Sequence, residues 1–180
     1  MKKIIIALIA AAAIAPVAQA QSSYVGASVG RSEQKISVSS SLDESATSYK
    51  LYTGYMFNQN FGIESGWTDH GNAERRLGAF TVGAHPRSLY LAATGSFPVS
   101  ERFAVIGKLG AASHRTRLSA TGENDERFKE TSALVGIGAT FAITPSLLAV
   151  VEYENYGKVF KDEGDSMKVD SLSAGVRFKF

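Results

Sequence analysis

Apolar side chains alternate one by one with polar or small side chains over almost the whole chain beyond residue 23. In the stretch 50–57, for example, Leu51 and Phe57 fall on one face of an extended chain, and Lys50 and Gly54 fall on the other. A repeat of two residues is the signature of a β-strand. The pattern predicts an all-β domain of eight strands, within residues 24–30, 50–57, 61–67, 88–97, 103–109, 133–141, 146–154 and 169–180.

The first twenty residues follow a different pattern. Lys2 and Lys3 form a short basic head, residues 4–14 are uniformly apolar, and the small residues Ala18 and Ala20 suit a cleavage site. This is the pattern of a secretory signal peptide, and the apolar run is shorter than the ~20 residues of a spanning helix. We expect 1–20 to be a cleaved signal peptide and 21–180 to form a single domain.

Charge and cysteine content narrow the class of protein further. The chain has 19 basic and 17 acidic residues; without Lys2 and Lys3 the numbers are equal, so the exported domain lacks the basic surplus of a nucleic-acid-binding protein. It has no cysteine, which excludes disulfides and thiolate metal sites. No later stretch is apolar enough for a spanning helix. An exported soluble protein and an outer-membrane barrel remain.

The predicted connections alternate between short and long. Short turns are expected at 58–60, 98–101 and 143–145. The other connections are expected to be long polar loops, at 31–46, 69–77, 117–130 and 160–167. Short turns at one end and long loops at the other are typical of bacterial outer-membrane barrels.

The composition of the second face of the predicted strands distinguishes a membrane barrel from a soluble sandwich. That face is rich in glycine and carries scattered charges, and small side chains suit the narrow lumen of an eight-stranded barrel. The aromatic residues gather beside the short turns and at the C-terminus, with Trp67 and Tyr153 towards the other end, as expected for interfacial girdles. We therefore predict an eight-stranded antiparallel up-and-down transmembrane β-barrel, with its apolar face towards lipid.

Several segments in this order resemble the OmpA-like transmembrane domain, within the broad family of small eight-stranded outer-membrane barrels. They are SYVGASVGRS, TGYMFNQNFGIESGWTDHG, GSFPVSERFAVIGKLGAA, GIGATFAITPSLLAVVEYENYG and DSLSAGVRFKF. The resemblance implies periplasmic termini, periplasmic chaperones as partners, and a terminal Phe180 read by the barrel assembly machinery. Some relatives add a peptidoglycan-binding domain; this chain stops at Phe180, so we do not expect that tethering role.

The resemblance also implies charges in the lumen. Glu64, Lys108 and Glu152 match charged family positions, and with Arg177 and Lys50 they are expected to form an internal salt-bridge cluster that plugs and stabilises the barrel. Charges in a narrow lumen must pair or find water. Family positions that form a charged gate are occupied here by Thr94, Thr140 and Val150. Gating is therefore not expected.

Some eight-stranded barrels modify lipid A, and a deacylase would need a lipid-facing serine oriented by histidine and an acidic residue. His85 lies near Ser88, but the deacylase-like His-x-Ser-Asn pattern is absent. We interpret His70 and His114 as polar residues at the membrane rim. No catalytic residue and no enzymatic activity are predicted.

The acidic clusters at 43–44, 123–126 and 162–165 lack the spacing of a calcium loop, so no metal site and no cofactor are predicted. These clusters could bridge divalent cations to lipopolysaccharide phosphates. Direct phosphate contacts are expected from the basic residues of the outer loops, which are Arg75, Arg76, Arg115 and Arg117.

The sequence thus predicts a monomeric, non-enzymatic protein that spans the outer membrane of a Gram-negative cell several times. Its expected roles are envelope integrity and surface interaction through four outer loops. Expected partners are outer-membrane lipid, lipopolysaccharide and a host or surface ligand, but no nucleic acid. The alternatives are a narrow, low-conductance channel and, third, a lipid-A-modifying enzyme. Eight strands leave no open pore of the kind that about 16–18 strands form.

Overall fold

The computed structural model describes residues 22–37, 42–71, 73–77, 80–120, 126–162 and 165–180. Within these ranges no helix is long and apolar enough to cross a membrane. The regular elements are all strands: β1 (Ser22–Ser37), β2 (Leu42–Met56), β3 (Phe61–Asp69), β4 (Ala73–Leu77), β5 (Phe80–Pro98), β6 (Phe103–Ala120), β7 (Glu126–Ala142), β8 (Leu147–Asp162) and β9 (Asp165–Lys179).

These strands form one closed antiparallel sheet. The order is β3-β2-β1-β9-β8-β7-β6-β5-β4, and a further pairing of β3 with β5 closes the ring. β3 and β4 both pair with β5 and follow one another along the chain, so together they make one barrel strand. The predicted eight-stranded antiparallel barrel is therefore confirmed, and the last strand pairs with the first as expected, from Tyr24–Lys179 to Ser37–Ser166.

The three short turns are built alike. In each, the N–H of the first turn residue donates to the carbonyl of the residue four positions later, at 2.9 Å. The side chain at the second position, which is Asn58, Ser100 or Thr144, accepts the backbone N–H of the first residue of the next strand. Short polar side chains stabilise turns by such local bonds. The predicted short turns are confirmed.

The four long polar loops were predicted with the wrong bounds. β1 and β2 still pair at Ile36–Leu42, and β5 and β6 still pair at Val82–Ala120, so much of 31–46 and 117–130 is strand. The segment 69–77 contains β4, and 160–167 contains the ends of β8 and β9. Hydropathy alternation ends where both faces of a strand meet water, although the hydrogen-bond ladder continues; polar composition there was therefore mistaken for loop.

Inward and outward side chains alternate as predicted. Leu89 and Leu91 are each 61% exposed, whereas Tyr90 between them is 2% exposed. The same contrast separates outward Leu109 from inward Lys108. An apolar outer surface around a polar interior is the arrangement of a transmembrane barrel rather than of a soluble domain.

Exposed aromatic rings mark the turn end of the barrel. Phe61 and Phe97 pack edge to face with ring centroids 6.2 Å apart, and Phe178 stacks on Phe180 at 6.4 Å. Phe180 is held to β1, because its N–H donates to the Ser23 carbonyl at 2.9 Å and its carbonyl accepts from Ser23. Towards the other end lie the exposed rings of Tyr49, Trp67 and Tyr153. Aromatic rings at both margins suit the two membrane interfaces.

The inward glycines make room for tyrosine rings. A Cβ atom at Gly54 would overlap the ring of Tyr24, and one at Gly26 would overlap the ring of Tyr52. The two rings pack edge to face at 6.3 Å between centroids. The glycine-rich face is therefore part of a filled interior.

Candidate functional site in the barrel lumen

Six charged side chains meet at one level of the lumen and form what we call the lumen charge cluster. Three are cations and three are carboxylates, and each is almost fully buried: Lys50, Lys108, Arg177, Glu64, Glu152 and Glu154. They come from β2, β3, β6, β8 and β9. Their formal charges cancel, which buried ions require if their desolvation is to be offset.

Lys108 is at the centre of this cluster. Its Nζ lies 2.5 Å from Glu64 Oε1, 2.6 Å from Glu152 Oε1 and 3.3 Å from Glu154 Oε1. The contact with Glu152 Oε1 is an ion pair without hydrogen-bond geometry, whereas Lys108 donates hydrogen bonds to Glu64 and Glu154. Lys50 donates to Glu152 and, at 2.8 Å, to Glu154. The two lysines thus contact all three carboxylates, and Arg177 supplies the third positive charge.

Four hydrogen-bond donors converge on the two carboxylate oxygens of Glu64. Tyr24 donates at 2.8 Å, Tyr90 at 2.7 Å, Lys108 at 2.5 Å and Arg177 at 3.3 Å. Bonds from charged donors to a carboxylate are stronger than neutral ones. Glu64 therefore links β1, β5, β6 and β9 through one side chain.

Tyrosine rings enclose the cations. The Arg177 guanidinium carbon lies 4.2 Å from the Tyr24 ring centroid, and Lys50 Nζ lies 5.0 Å from that of Tyr52. Cations over aromatic faces gain electrostatic stabilisation where water is excluded. Arg177 Nε and the Tyr52 hydroxyl have no hydrogen-bond partner among the described groups.

The structure brings together every charged residue expected in the lumen, namely Glu64, Lys108, Glu152, Arg177 and Lys50. Sequence reasoning missed Glu154, although it shares the inward face of β8 with Glu152 and the alternation was sufficient to find it. The uncharged residues Thr94, Thr140 and Val150 also point inward and are buried.

A second layer crosses the lumen beside the cluster. Five side chains around the lumen form a chain of hydrogen bonds, which we call the His–Ser belt: Ser32, His70, Ser88, His114 and Ser132. The distances are 3.0 Å from Ser32 Oγ to His70 Nδ1, 2.7 Å from His70 Nε2 to Ser88 Oγ, 2.7 Å from Ser88 Oγ to His114 Nδ1, and 2.7 Å from His114 Nε2 to Ser132 Oγ. Ser132 in turn bonds to the backbone carbonyl of Tyr156.

When both imidazole rings are neutral, the hydrogen bonds of the His–Ser belt can run from donor to acceptor in only one direction. A carbonyl only accepts, so Ser132 donates to Tyr156, and His114 must then donate to Ser132 from Nε2. By the same step, Ser88 donates to His114 Nδ1 and accepts from His70 Nε2. Both histidines are thereby assigned as Nε2–H tautomers by donor accounting.

His70 and His114 lie near the outer end of the barrel, as expected, but they are not exposed at its rim. Both rings point into the lumen and are fully buried there. Both nitrogens of each ring are occupied by serine hydroxyls, and Ser88 is itself buried. No ring nitrogen is left for the orienting carboxylate of a hydrolytic triad.

We expect Ser88→Ala to lower the free energy of unfolding by about 1–3 kcal/mol, because one nitrogen of each histidine is left buried without a partner. Ser113→Ala, on the exposed face of β6, is the matched control and should change stability little. Urea unfolding in lipid vesicles measures both. Equal stabilities of the two variants would contradict the assigned belt.

Among the described residues, no group of three or more His, Asp or Glu side chains is arranged to hold a metal ion. The acidic clusters at 123–126 and 162–165 lie partly outside the described ranges, and the side chains of Asp43 and Glu44 also lie outside them.

Comparison with known proteins identifies the family. The model of the outer membrane protein beta-barrel domain matches residues 4–180. The chain belongs to this family. It is a multi-pass protein of the outer membrane, as the barrel and its apolar outer surface require.

Known relatives and solved structures agree with this assignment. Outer membrane protein P5 of Haemophilus influenzae is 29% identical over the full length of the chain, which spans 61% of that relative. Neisserial surface protein A has the same fold, with a TM-score of 0.66, 20% identity and coverage of 88% of this chain and 97% of its own. Ail of Yersinia pestis, solved with the heparin analogue sucrose octasulfate, has a TM-score of 0.58, 20% identity and coverage of 87% and 99%.

The arginines expected to contact lipopolysaccharide lie beyond the outer aromatic residues. Arg115 is exposed on β6. Arg75 and Arg76 lie in β4 and Arg117 lies in β6, but their side chains are outside the described part of the structure. The register places Arg115 directly beside two cations that sequence reasoning did not select, Arg87 and Lys129.

Proposed function

We propose that this protein is a non-enzymatic structural barrel of the outer membrane, whose filled lumen makes it a rigid support for its outer surface. The observation that carries this proposal is the pair of side-chain layers across the lumen. The lumen charge cluster and the His–Ser belt together draw on all eight barrel strands.

Tyr156 joins the two layers. Its hydroxyl donates to Glu154 at 3.2 Å and is 2.9 Å from Thr68 Oγ1. Its ring packs edge to face on His70 with centroids 4.7 Å apart. The ring is fully buried, so it fills space in the lumen between the two layers. This supports a sealed lumen over the narrow-channel alternative.

We predict that the purified protein, inserted in planar bilayers, shows no stepwise current of porin size. A porin of about 16–18 strands in the same bilayers is the positive control. Lys108→Ala should raise the leak, because it removes the cation that contacts three carboxylates. Regular open steps from the unaltered protein would overturn the sealed-lumen proposal.

The enzymatic alternative lacks an accessible nucleophile in the described lumen. Ser88 is the serine flanked by two histidines, and it is buried inside the barrel rather than facing lipid. Lipid A mass spectra from cells with and without the protein test this point. A change in acylation that depends on Ser88 would show that the protein is an enzyme.

Surface interaction and assembly belong to the same proposal. The outer ends of the strands extend well beyond the apolar belt and would present polar side chains to a host or surface ligand. Ail was solved with a heparin analogue, which supports anionic glycans as one class to test.

Phe180 is exposed at the end of the closing strand, which supports its proposed role as the signal for the barrel assembly machinery.

A further inference from the structure

Three outward-facing cations lie side by side at the outer margin of the barrel. Arg87 of β5 is directly paired with Arg115 of β6, and Arg115 is directly paired with Lys129 of β7. All three side chains are exposed. We call these three residues the cationic row. Neighbouring strands lie about 4.8 Å apart, so the row concentrates three positive charges within ~10 Å.

Like charges that lie directly opposite each other destabilise a sheet unless an anion separates them. Asp69 supplies one negative charge at one end, where Arg87 Nε donates to its Oδ2 at 3.1 Å. Among the side chains that the structure describes, none forms an ion pair with Arg115 or Lys129. Two positive charges of the row therefore remain to be balanced by an anion from outside.

The depth of the cationic row in the membrane indicates the source of the balancing anion. Arg87 is the next outward residue after Leu89, the last exposed leucine of β5. On β6 and β7, one hydroxyl residue, Ser113 or Thr131, separates the cation from the alanine rows that face lipid. The row also lies at the end opposite the short turns. It is thus at the depth of the lipid headgroups of the outer leaflet.

We propose that the cationic row is a binding site for the phosphate groups of lipid A, the membrane anchor of lipopolysaccharide. Guanidinium groups bind phosphate through paired, charge-assisted hydrogen bonds, and lysine adds a compact charge. The hydroxyls of Ser113 and Thr131 lie next to the row on the lipid side and supply further donors. The acyl chains would then lie along Leu89 and Leu91.

This site depends on the outer-membrane location of the barrel and not on the sealed lumen. A failed conductance prediction would therefore leave the lipid-binding proposal unaffected, and a failed lipid-binding test would leave the sealed-lumen proposal unaffected. Of the four arginines that the sequence singled out, Arg115 belongs to the site. The side chains of Arg75, Arg76 and Arg117 lie outside the described part of the structure and are not assigned to the site.

The test measures binding of purified bis-phosphorylated lipid A to the folded full chain in detergent micelles. Each Gln substitution in the row, Arg87→Gln, Arg115→Gln or Lys129→Gln, should weaken binding about fivefold, and the triple variant on the order of 100-fold. Arg102→Gln is the matched control, because it removes one exposed cation in a turn at the opposite end of the barrel. Heat-modifiable gel mobility shows that each variant is folded.

Two further binding measurements identify the chemical group that the row recognises. Lipid A without phosphates should bind the unaltered protein as weakly as bis-phosphorylated lipid A binds the triple variant. Equal binding of the two lipids, or an undiminished affinity of the triple variant, would overturn the proposal. If the row binds sucrose octasulfate but not lipid A, its ligand is a soluble sulfated glycan and the lipid assignment is wrong.

Discussion

Glu64→Gln is expected to lower the free energy of unfolding by about 3–5 kcal/mol, the usual cost of breaking a buried ion pair by removing one partner. The amide keeps the size of the side chain but removes its charge. Lys108 and Arg177 then stay buried with one carboxylate fewer between them, and the Tyr24 and Tyr90 hydroxyls compete for a single weaker acceptor.

The measurement is urea unfolding in lipid vesicles, followed by the fluorescence of Trp67, which is the one tryptophan of the chain. Glu101→Gln makes the same chemical change at an exposed position in a short turn and should shift stability by no more than about 0.5 kcal/mol. If both variants unfold at the same urea concentration, the cluster does not stabilise the barrel.

The side chains that face lipid and those that face the lumen could be told apart from the sequence, because lipid restricts which residues can point outward. Every outward residue within the bilayer must be apolar or small, so inward positions such as Lys50 and Glu152 stand out by parity alone. The same rule identifies Lys108 between Gly107 and Leu109. The alternation was therefore sufficient to identify every member of the lumen charge cluster, including the overlooked Glu154.

The upper part of the barrel could not be predicted in this way. Beyond the bilayer both faces of a strand meet water, so composition no longer distinguishes strand from loop, as in the pairing of Ile36 with Leu42. The strand β4, which lies within the predicted loop 69–77, was missed for the same reason, as was the short interruption that separates it from β3. Gly71 adopts a positive φ of 78° there, and only the structure shows it.

The His–Ser belt was hidden for a further reason. Its residues are separated by 18 to 38 positions along the chain, and only the register of neighbouring strands brings their side chains together. A shift of one residue in register would turn each side chain to the other face. A lone histidine such as His70 or His114 therefore carries little information until the pairing is known.

The junction of the first and last strands should be highly sensitive to a single added methyl group. Gly175 of β9 is paired with Ser28 of β1. A Cβ atom there would overlap the Ala27 carbonyl oxygen and lie 2.5 Å from the Ser28 Cα. These are backbone atoms of the paired strand, which cannot rotate away as a flexible side chain could. Relief requires β1 and β9 to move apart, which lengthens the hydrogen bonds that join the first strand to the last.

Gly175→Ala is accordingly expected to cost about 3 kcal/mol, the upper part of the range for overpacking, and to slow folding into vesicles. Gly107→Ala adds the same methyl group to β6, where a Cβ atom would have no heavy atom within 4 Å. That control should fold at the normal rate and match the unaltered protein within about 0.5 kcal/mol. The two variants differ in where the methyl group lies, not in what is added. Equal folding rates and stabilities would therefore mean that β1 and β9 are less closely packed than the structure shows.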